Sequence, residues 1–325
     1  MQINTVEVHD LTKVFNEGIR AVDGISFEIK EGEIFGLLGP NGAGKTTTIN
    51  ILATLLKQTS GTATVNSHDC MKEPDKVRES IGIVFQDPSS DDLLTGRENL
   101  NLHGLMYGVR RTERLKRIDE VLALVELTDR ADERVRHYSG GMRRRLELAR
   151  GLLHKPKVLF LDEPTLGLDP QSREKVWLYI EDLVKKKDIS ILLTTHYMEE
   201  AERLCNRIAI IDLGKIIVQG APKDLIGELG GDVVKLKIKD PDLDAFKEKD
   251  YIIKIEEADG HLILTVCDGK SNLQEILRLA GKVESVEMRS PTLNDVFLHY
   301  TGKEIREGPA EGGYGTKIMT SEKRR

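Results

Sequence analysis

One stretch limits the fold of this 325-residue chain more than any other. Gly39-Pro40-Asn41-Gly42-Ala43-Gly44-Lys45-Thr46 fits G-x-x-x-x-G-K-[ST], the pattern of a phosphate-binding loop. The apolar run Ile34–Leu38 leads into it, and Thr46–Leu56 leaves it with apolar residues at helical spacing. In a strand–loop–helix unit of this kind the glycines let the backbone approach phosphate, and successive N–H groups and the helix N-terminus meet its negative charge. Lys45 is expected on the β- and γ-phosphates of a nucleotide and the Thr46 hydroxyl on Mg2+. Val158–Leu161 and Ile191–Leu193 are also short and apolar on both faces, as buried parallel strands are. The expected class is α/β, built on a largely parallel sheet.

The run Val158–Leu161 ends in Asp162-Glu163. Alone, Asp-Glu after a strand reads as a solvated loop. Beside a phosphate loop, an Asp at the C-terminal edge of a parallel strand is placed to hold Mg2+, directly or through water. Glu163 is a candidate general base, a carboxylate able to orient and polarise an attacking water.

Around this core the chain divides into segments. Residues 88–156 change texture, and Arg111–Leu127 carries its apolar residues at helical spacing, so a helical insert is expected there. Ile208–Ile211, Leu213-Gly214 and Lys215–Val218 read as a closing hairpin. The first domain is placed at 1–225. A second, small α+β unit is placed at 230–302: strand Val233–Lys239, helix Asp242–Lys249, strands Tyr251–Ile255 and His261–Val266 around Asp259-Gly260, helix Asn272–Ala280, strand Val283–Met288 and helix Thr292–Tyr300. The order βαββαβ is similar to a ferredoxin-like split unit. Residues 303–325, with four glycines and a Lys-Arg-Arg end, are expected to be a flexible tail.

Charge and composition narrow the partners. Forty-eight Lys and Arg against 54 Asp and Glu give −6, which argues against nucleic acid as the main partner. Arg143-Arg144-Arg145 does not reverse this, because consecutive helical residues point about 100° apart; the triplet is read as a solvated helix start with one contact to a partner protein or a carboxylate. No apolar run approaches the ~18–20 residues that cross a bilayer, and the start MQINTVEVHD lacks the basic and apolar regions of a secretory signal. Cys70, Cys205 and Cys267 show neither metal-ligand spacing nor a disulfide framework, so a reducing cytosol is expected.

Taken in order, Gly39–Thr47, Gln86, Tyr138-Ser139-Gly140-Gly141-Met142, Leu161–Thr165, Gly167-Leu168-Asp169 and His196 resemble the ATP-binding-cassette nucleotidase subunits of transporters. The resemblance covers residues ~4–220, and several motifs agreeing in order and spacing are far more specific than one phosphate loop. Tyr138–Pro170 is similar to the daunorubicin-resistance type of drug-exporter ATPase, which carries a C-terminal extension like residues ~232–300 here. It implies a P-loop cassette domain, a mixed sheet with a helical subdomain, plus the small accessory domain.

The resemblance also implies cofactors, partners and further site residues. ATP and Mg2+ would lie at the interface of a head-to-tail homodimer, each site combining Gly39, Pro40, Asn41, Gly42, Ala43, Gly44, Lys45, Thr46 and Thr47 of one chain with Ser139, Gly140 and Gly141 of the other. From the residues themselves, Ser139 can N-cap a helix beginning near Gly140. His196 would contact the γ-phosphate, Gln86 would touch Mg2+ or the water and sense the permease, and Asp169 would couple the two sites. Phe15 would stack on adenine. The metal set would be Thr46, Gln86 and Asp162. Tyr138 and Met142 stand where the commoner signature has Leu and Gln, and Met142 donates no strong hydrogen bond. The partner implied is an integral-membrane permease, which puts the chain at the cytoplasmic face of the membrane. A soluble cassette ATPase acting on ribosomes or DNA is the alternative, but two cassettes or a long coiled coil would then be expected. The C-terminal unit is read as a stabilising or dimerising appendage, with a ligand-regulated domain as the alternative.

Overall fold

The computed structural model describes residues 4–187, 189–238, 243–258 and 260–302. The chain opens with β1 (Asn4–Val14), β2 (Arg20–Lys30), β3 (Ile34–Leu38), α1 (Lys45–Leu52), β4 (Ser60–Val65), β5 (His68–Asp69), α2 (Pro74–Ser80) and β6 (Ile81–Val84). Three helices follow, α3 (Gly96–Met106), α4 (Arg111–Leu124) and α5 (Gly140–Leu152). Then come β7 (Val158–Asp162), α6 (Pro170–Lys187), β8 (Ser190–Thr195), α7 (Met198–Leu204), β9 (Arg207–Asp212) and β10 (Lys215–Gly220). The last third holds α8 (Pro222–Glu228), β11 (Asp232–Ile238), α9 (Leu243–Lys247), β12 (Ile252–Ala258), β13 (His261–Val266), α10 (Gly269–Ala280), β14 (Val283–Arg289) and α11 (Leu293–Thr301). Two compact units result, one ending at Gln219 and the other beginning at Gly220.

In the first unit a six-stranded sheet runs β10-β9-β3-β8-β7-β6. β3, β7 and β8 are buried at every position, as continuous apolar runs must be when both faces are covered. They pair in parallel with matched ends: Leu38 lies opposite Thr195, and Asp162 opposite Thr194. The loops that leave these strands therefore emerge side by side at one sheet edge, where ligands bind in open parallel sheets.

A second, antiparallel sheet, β2-β1-β4-β5, forms a separate layer that the sequence patterning did not announce. Its inner face, including Val6, Val8, Ile25 and Phe27, packs on Phe35, Leu37, Ile49 and Phe160 in one apolar core. The rings of Phe27 and Phe35 stack with centroids 5.2 Å apart. Between β6 and β7, α3–α5 supply the helical segment. Thr95 and Glu98 form a reciprocal capping box that starts α3.

α5 lies directly against the sheet. A Cβ built on Gly82 of β6 would sit 2.2 Å from the carbonyl oxygen of Gly151 in α5. In the second unit the sheet order β12-β13-β11-β14, with every adjacent pair antiparallel, is a split βαββαβ arrangement of the ferredoxin-like kind. Phe246, Val234, Leu236, Leu264 and Ile276 fill its core. Lys239, Asp242 and Asp259, which belong to the expected strand, helix and turn, lie outside the described residues, as does the expected tail 303–325.

Gly82→Ala places a methyl group against backbone that cannot rotate away. It should cost about 1–3 kcal/mol of stability, the usual cost of overpacking. A lower urea midpoint than the parent's is expected; an unchanged midpoint would show that α5 can lift off β6 freely.

Candidate active site

The turn between β3 and α1 is closed by its own backbone. Ala43 N–H donates to the Pro40 carbonyl at 3.2 Å, and Thr48 N–H to the Gly44 carbonyl at 2.9 Å. Gly44, the N-cap of α1, has φ +109°, and a Cβ there would lie 2.4 Å from the Ala21 carbonyl oxygen, so only glycine fits. Lys45 is buried, and its ammonium donates to the Gly39 and Pro40 carbonyls at 2.7 and 3.0 Å.

The same ammonium lies 3.5 Å from Glu163 Oε1, and His196 Nδ1 lies 3.2 Å from that oxygen. Beside them the Thr46 hydroxyl donates to Asp162 Oδ1 at 3.3 Å, and the Thr194 hydroxyl to the same atom at 2.5 Å. Five of the expected residues, Lys45, Thr46, Asp162, Glu163 and His196, thus meet at the edge formed by β3, β7 and β8. Thr194 was not foreseen, and its only sequence signal is that it immediately precedes Thr195-His196.

Burial has opposite outcomes for the two carboxylates. Asp162 is 2% exposed, and burial pushes its carboxyl above the usual range despite the two threonine hydroxyls. Burial also pushes Glu163 upward, but the adjacent His196 imidazole and Lys45 ammonium together outweigh it and hold its carboxyl below the usual value. Burial lowers the Lys45 ammonium, against the attraction of Glu163. Glu163 has φ +47°, a left-handed conformation rare outside glycine; its N–H is held by the Thr194 carbonyl and hydroxyl, both at 3.1 Å.

Other expected residues stand apart from this cluster. Ser139 caps α5, its hydroxyl accepting from Met142 N–H at 3.2 Å, and Ser139 and Gly140 are exposed. Asp169 is exposed and caps α6 through Ser172 N–H at 3.0 Å. Gln86 follows β6 with an exposed side chain. Phe15 follows β1, half-buried, with the Lys13 ammonium 5.1 Å from its ring centre. Tyr138 is buried and donates to the Arg130 carbonyl at 2.7 Å, an anchoring bond that Leu at this position lacks.

The arginine triplet corrects the sequence reading. Arg145 donates to the Val125 carbonyl at 3.0 Å and Arg143 pairs with Asp92, but Arg144 is buried among backbone carbonyls instead of standing in solvent. The reason is helical phase. Arg144 shares the buried face of α5 with Gly141, Leu148 and Gly151, a spacing of three and four residues that would have revealed it. Glu200 of α7 was also missed. It accepts from the Thr165 hydroxyl at 2.7 Å and Trp177 Nε1 at 2.9 Å, and burial pushes its carboxyl upward.

Comparison with known proteins decides the family. Residues 22–166 match the family described as ABC transporter, and residues 220–301 match the C-terminal domain of DrrA1-3-like ATP-binding proteins. The chain is 40% identical over 306 residues to the daunorubicin/doxorubicin resistance ATP-binding protein DrrA of Streptomyces peucetius, across 91% of this chain and 92% of that one. The chain belongs to the ABC transporter ATP-binding proteins of the daunorubicin-resistance type. The linearmycin resistance ATP-binding protein LnrL of Bacillus subtilis is another relative, 39% identical across 88% of this chain and 95% of its own. Among solved structures, the dimeric post-hydrolysis cassette MJ0796 bound to ADP and Pi superposes with a TM-score of 0.61 at 30% identity, over 66% of this chain and 98% of that one. This ABC protein is an ATPase, and its hydrolysis is coupled to transport. No helix among the described residues is long and apolar enough to cross a membrane.

In the ABC site the lowered Glu163 carboxyl has a thermodynamic consequence. A carboxyl with a folded value below its unfolded ~4.3 contributes stability above that pH and loses it as pH falls through the folded value. The stability difference between the parent and Glu163→Gln should therefore be present at pH 7 and shrink as pH drops below about 4. Urea unfolding across that range measures it. A difference that grows on acidification would mean that burial, not Lys45 and His196, dominates Glu163.

Proposed function

We propose that this chain is the motor of an exporter. Two copies close head to tail on two ATP molecules, hydrolysis reopens them, and a separate integral-membrane permease carries a hydrophobic, drug-like compound outward. The observation that carries the reading is the convergence of Lys45, Thr46, Asp162, Glu163 and His196 at one sheet edge. That set binds phosphate, supplies hard oxygen ligands and offers an ionised carboxylate.

Each residue then has a role. The backbone of Gly39, Pro40, Asn41, Gly42, Ala43 and Gly44 wraps the phosphates, and Lys45 turns its ammonium onto the β- and γ-phosphates, with Thr46 and Thr47 opening the helix beneath. The Thr46 hydroxyl and Asp162 carboxylate, adjacent at 3.3 Å, suit Mg2+, a hard cation that takes oxygen ligands, and Gln86 completes that set. Bound Mg2+ would neutralise charge developing on the phosphates. Glu163, kept ionised by the Lys45 ammonium and the His196 imidazole beside it, takes a proton from the attacking water, while His196 holds the γ-phosphate. Ser139, Gly140 and Gly141 face the nucleotide of the other copy, where the N–H groups and dipole of α5 favour negative charge. Asp169 crosses the same interface, and Phe15 stacks on adenine at about 1–3 kcal/mol by analogy with base stacking.

For the permease, the support is a surface. Leu102, Leu105 and Met106 lie on one face of α3 and are exposed, with exposed Leu93 in the loop before it. The permease would hold the chain at the cytoplasmic face of the membrane, and the acidic net charge argues against nucleic acid as the main partner. The substrate class rests on relatives named for resistance to daunorubicin, doxorubicin and linearmycin.

Glu163→Gln should bind ATP as the parent does and lose roughly 10²–10⁴-fold in turnover, the usual contribution of a general base. Lys45→Ala should lose nucleotide affinity by calorimetry. Parent-like turnover in the first variant, or parent-like affinity in the second, would remove the corresponding assignment. Tagged Glu163→Gln, recovered from detergent-solubilised membranes of its own host with ATP present, should bring down a protein with several apolar segments of ~20 residues. Recovery from the soluble fraction with ribosomes or nucleic acid would refute the transporter role and leave the ATPase.

A further inference from the structure

Arg144 uses every donor it has. A guanidinium carries five N–H donors in a rigid plane. Here Nε donates to the Pro164 carbonyl at 2.5 Å, Nη2 to the Asp162 and Glu163 carbonyls at 2.9 Å each, and Nη1 to the Phe85 carbonyl and, at 3.4 Å, the Gln86 carbonyl. No carboxylate shares the fork, and the side chain is 5% exposed. The acceptors belong to two segments, the ends of the adjacent parallel strands β6 and β7, where the chain turns into Gln86 and into Glu163. The donor belongs to a third element, α5. A neutral residue would take these donors away from both strand ends, and lysine, a point charge with three donors, cannot span the two.

The position of Arg144 on α5 gives this clamp a direction. It lies five residues from Ser139, about 7.5 Å of helical rise, on a helix with no glycine or proline between Met142 and Arg150. Gly140 and Gly141 make up the first turn between them, but they belong to the same continuous helix, so a displacement of its capped N-terminus can reach Arg144 and through it the backbone of Gln86 and Glu163. The contact of Gly141 with Ser172, whose Oγ lies 2.6 Å from a Cβ built there, leaves α5 little room to slide independently of α6.

We propose that Arg144 is a positioning residue that couples the two ATP sites of the closed dimer, transmitting engagement of Ser139 by one nucleotide to the placement of Glu163 and Gln86 around the other. This rests on the dimeric ATPase reading above. It acts through backbone carbonyls, touches no substrate itself, and sets how well the general base is aimed and not how tightly the phosphate loop holds ATP.

The test uses the full-length chain and its Arg144→Lys and Arg144→Ala variants. ATP affinity is measured by calorimetry in the Glu163→Gln background, and kcat and the Hill coefficient for ATP in the Glu163 background. Both variants should keep ATP affinity within about threefold of the parent, lose at least tenfold in kcat, and show a Hill coefficient falling toward 1. Because Arg144→Ala empties a buried site and can impair folding, added methylguanidinium is the second readout. It should restore kcat in Arg144→Ala while methylammonium does not. Arg144→Lys with parent-like kcat and Hill coefficient would overturn the proposal, as would losses in kcat that track losses in ATP affinity or in folded fraction. Equal rescue by both cations would do the same. A parent chain that hydrolyses no ATP would overturn the functional reading and this proposal together; a parent that does, with any of the results just named, overturns this one alone.

Discussion

Parallel pairing of β7 with β8 sets Asp162 opposite Thr194, and the site is arranged around that register. It brings the Thr194 hydroxyl onto Asp162 Oδ1, holds the Glu163 N–H on the Thr194 carbonyl and hydroxyl, and starts the turn that carries His196 back to Glu163. The neighbouring pairing of β3 with β8 adds the phosphate loop at the same edge, which puts Lys45 and Thr46 against the two carboxylates. A slip of one residue in either pairing would turn these side chains to the opposite face and disperse them. The buried apolar runs Ile34–Leu38 and Val158–Leu161 resist such a slip because both of their faces are packed.

The two carboxylates at this edge show how burial and charge divide chemical labour. Asp162 is enclosed, and burial raises its carboxyl against the two threonine hydroxyls bonded to it. Glu163 is one residue further along, and its oxygen lies between an ammonium and an imidazole that keep it ionised. Two carboxylates with different electrostatic settings thus occupy consecutive positions, because β7 ends at Asp162 and the left-handed turn at Glu163, φ +47°, sends the next side chain toward Lys45 and His196.

Arg144 is where local reading failed and where the reason is plainest. Three arginines in a row have the composition of a solvated surface, yet Arg145 is bonded to the Val125 carbonyl and Arg144 is buried outright. The distinguishing fact is phase: positions 141, 144, 148 and 151 make one buried stripe along α5. What that stripe meets, five carbonyls at the ends of β6 and β7, depends on strands whose nearest residues lie some 18–60 positions away in sequence. Glu200 is a similar case, a carboxylate drawn into the interior by Thr165 and Trp177.

The sequence by itself determined the phosphate loop, the acidic strand end, the capped start of α5 and the order of elements in the second unit. Each of these is a property of residues within a few positions of one another, expressed through hydrogen bonds and φ values the chain makes locally. Tertiary structure alone decided the separate antiparallel layer over α1 and the main sheet, the meeting of Lys45, Glu163 and His196, the strained backbone at Glu163, and the burial of Arg144. Those depend on which strands become neighbours, and the long-range packing that selects neighbours is a sum of many apolar contacts that no short motif records.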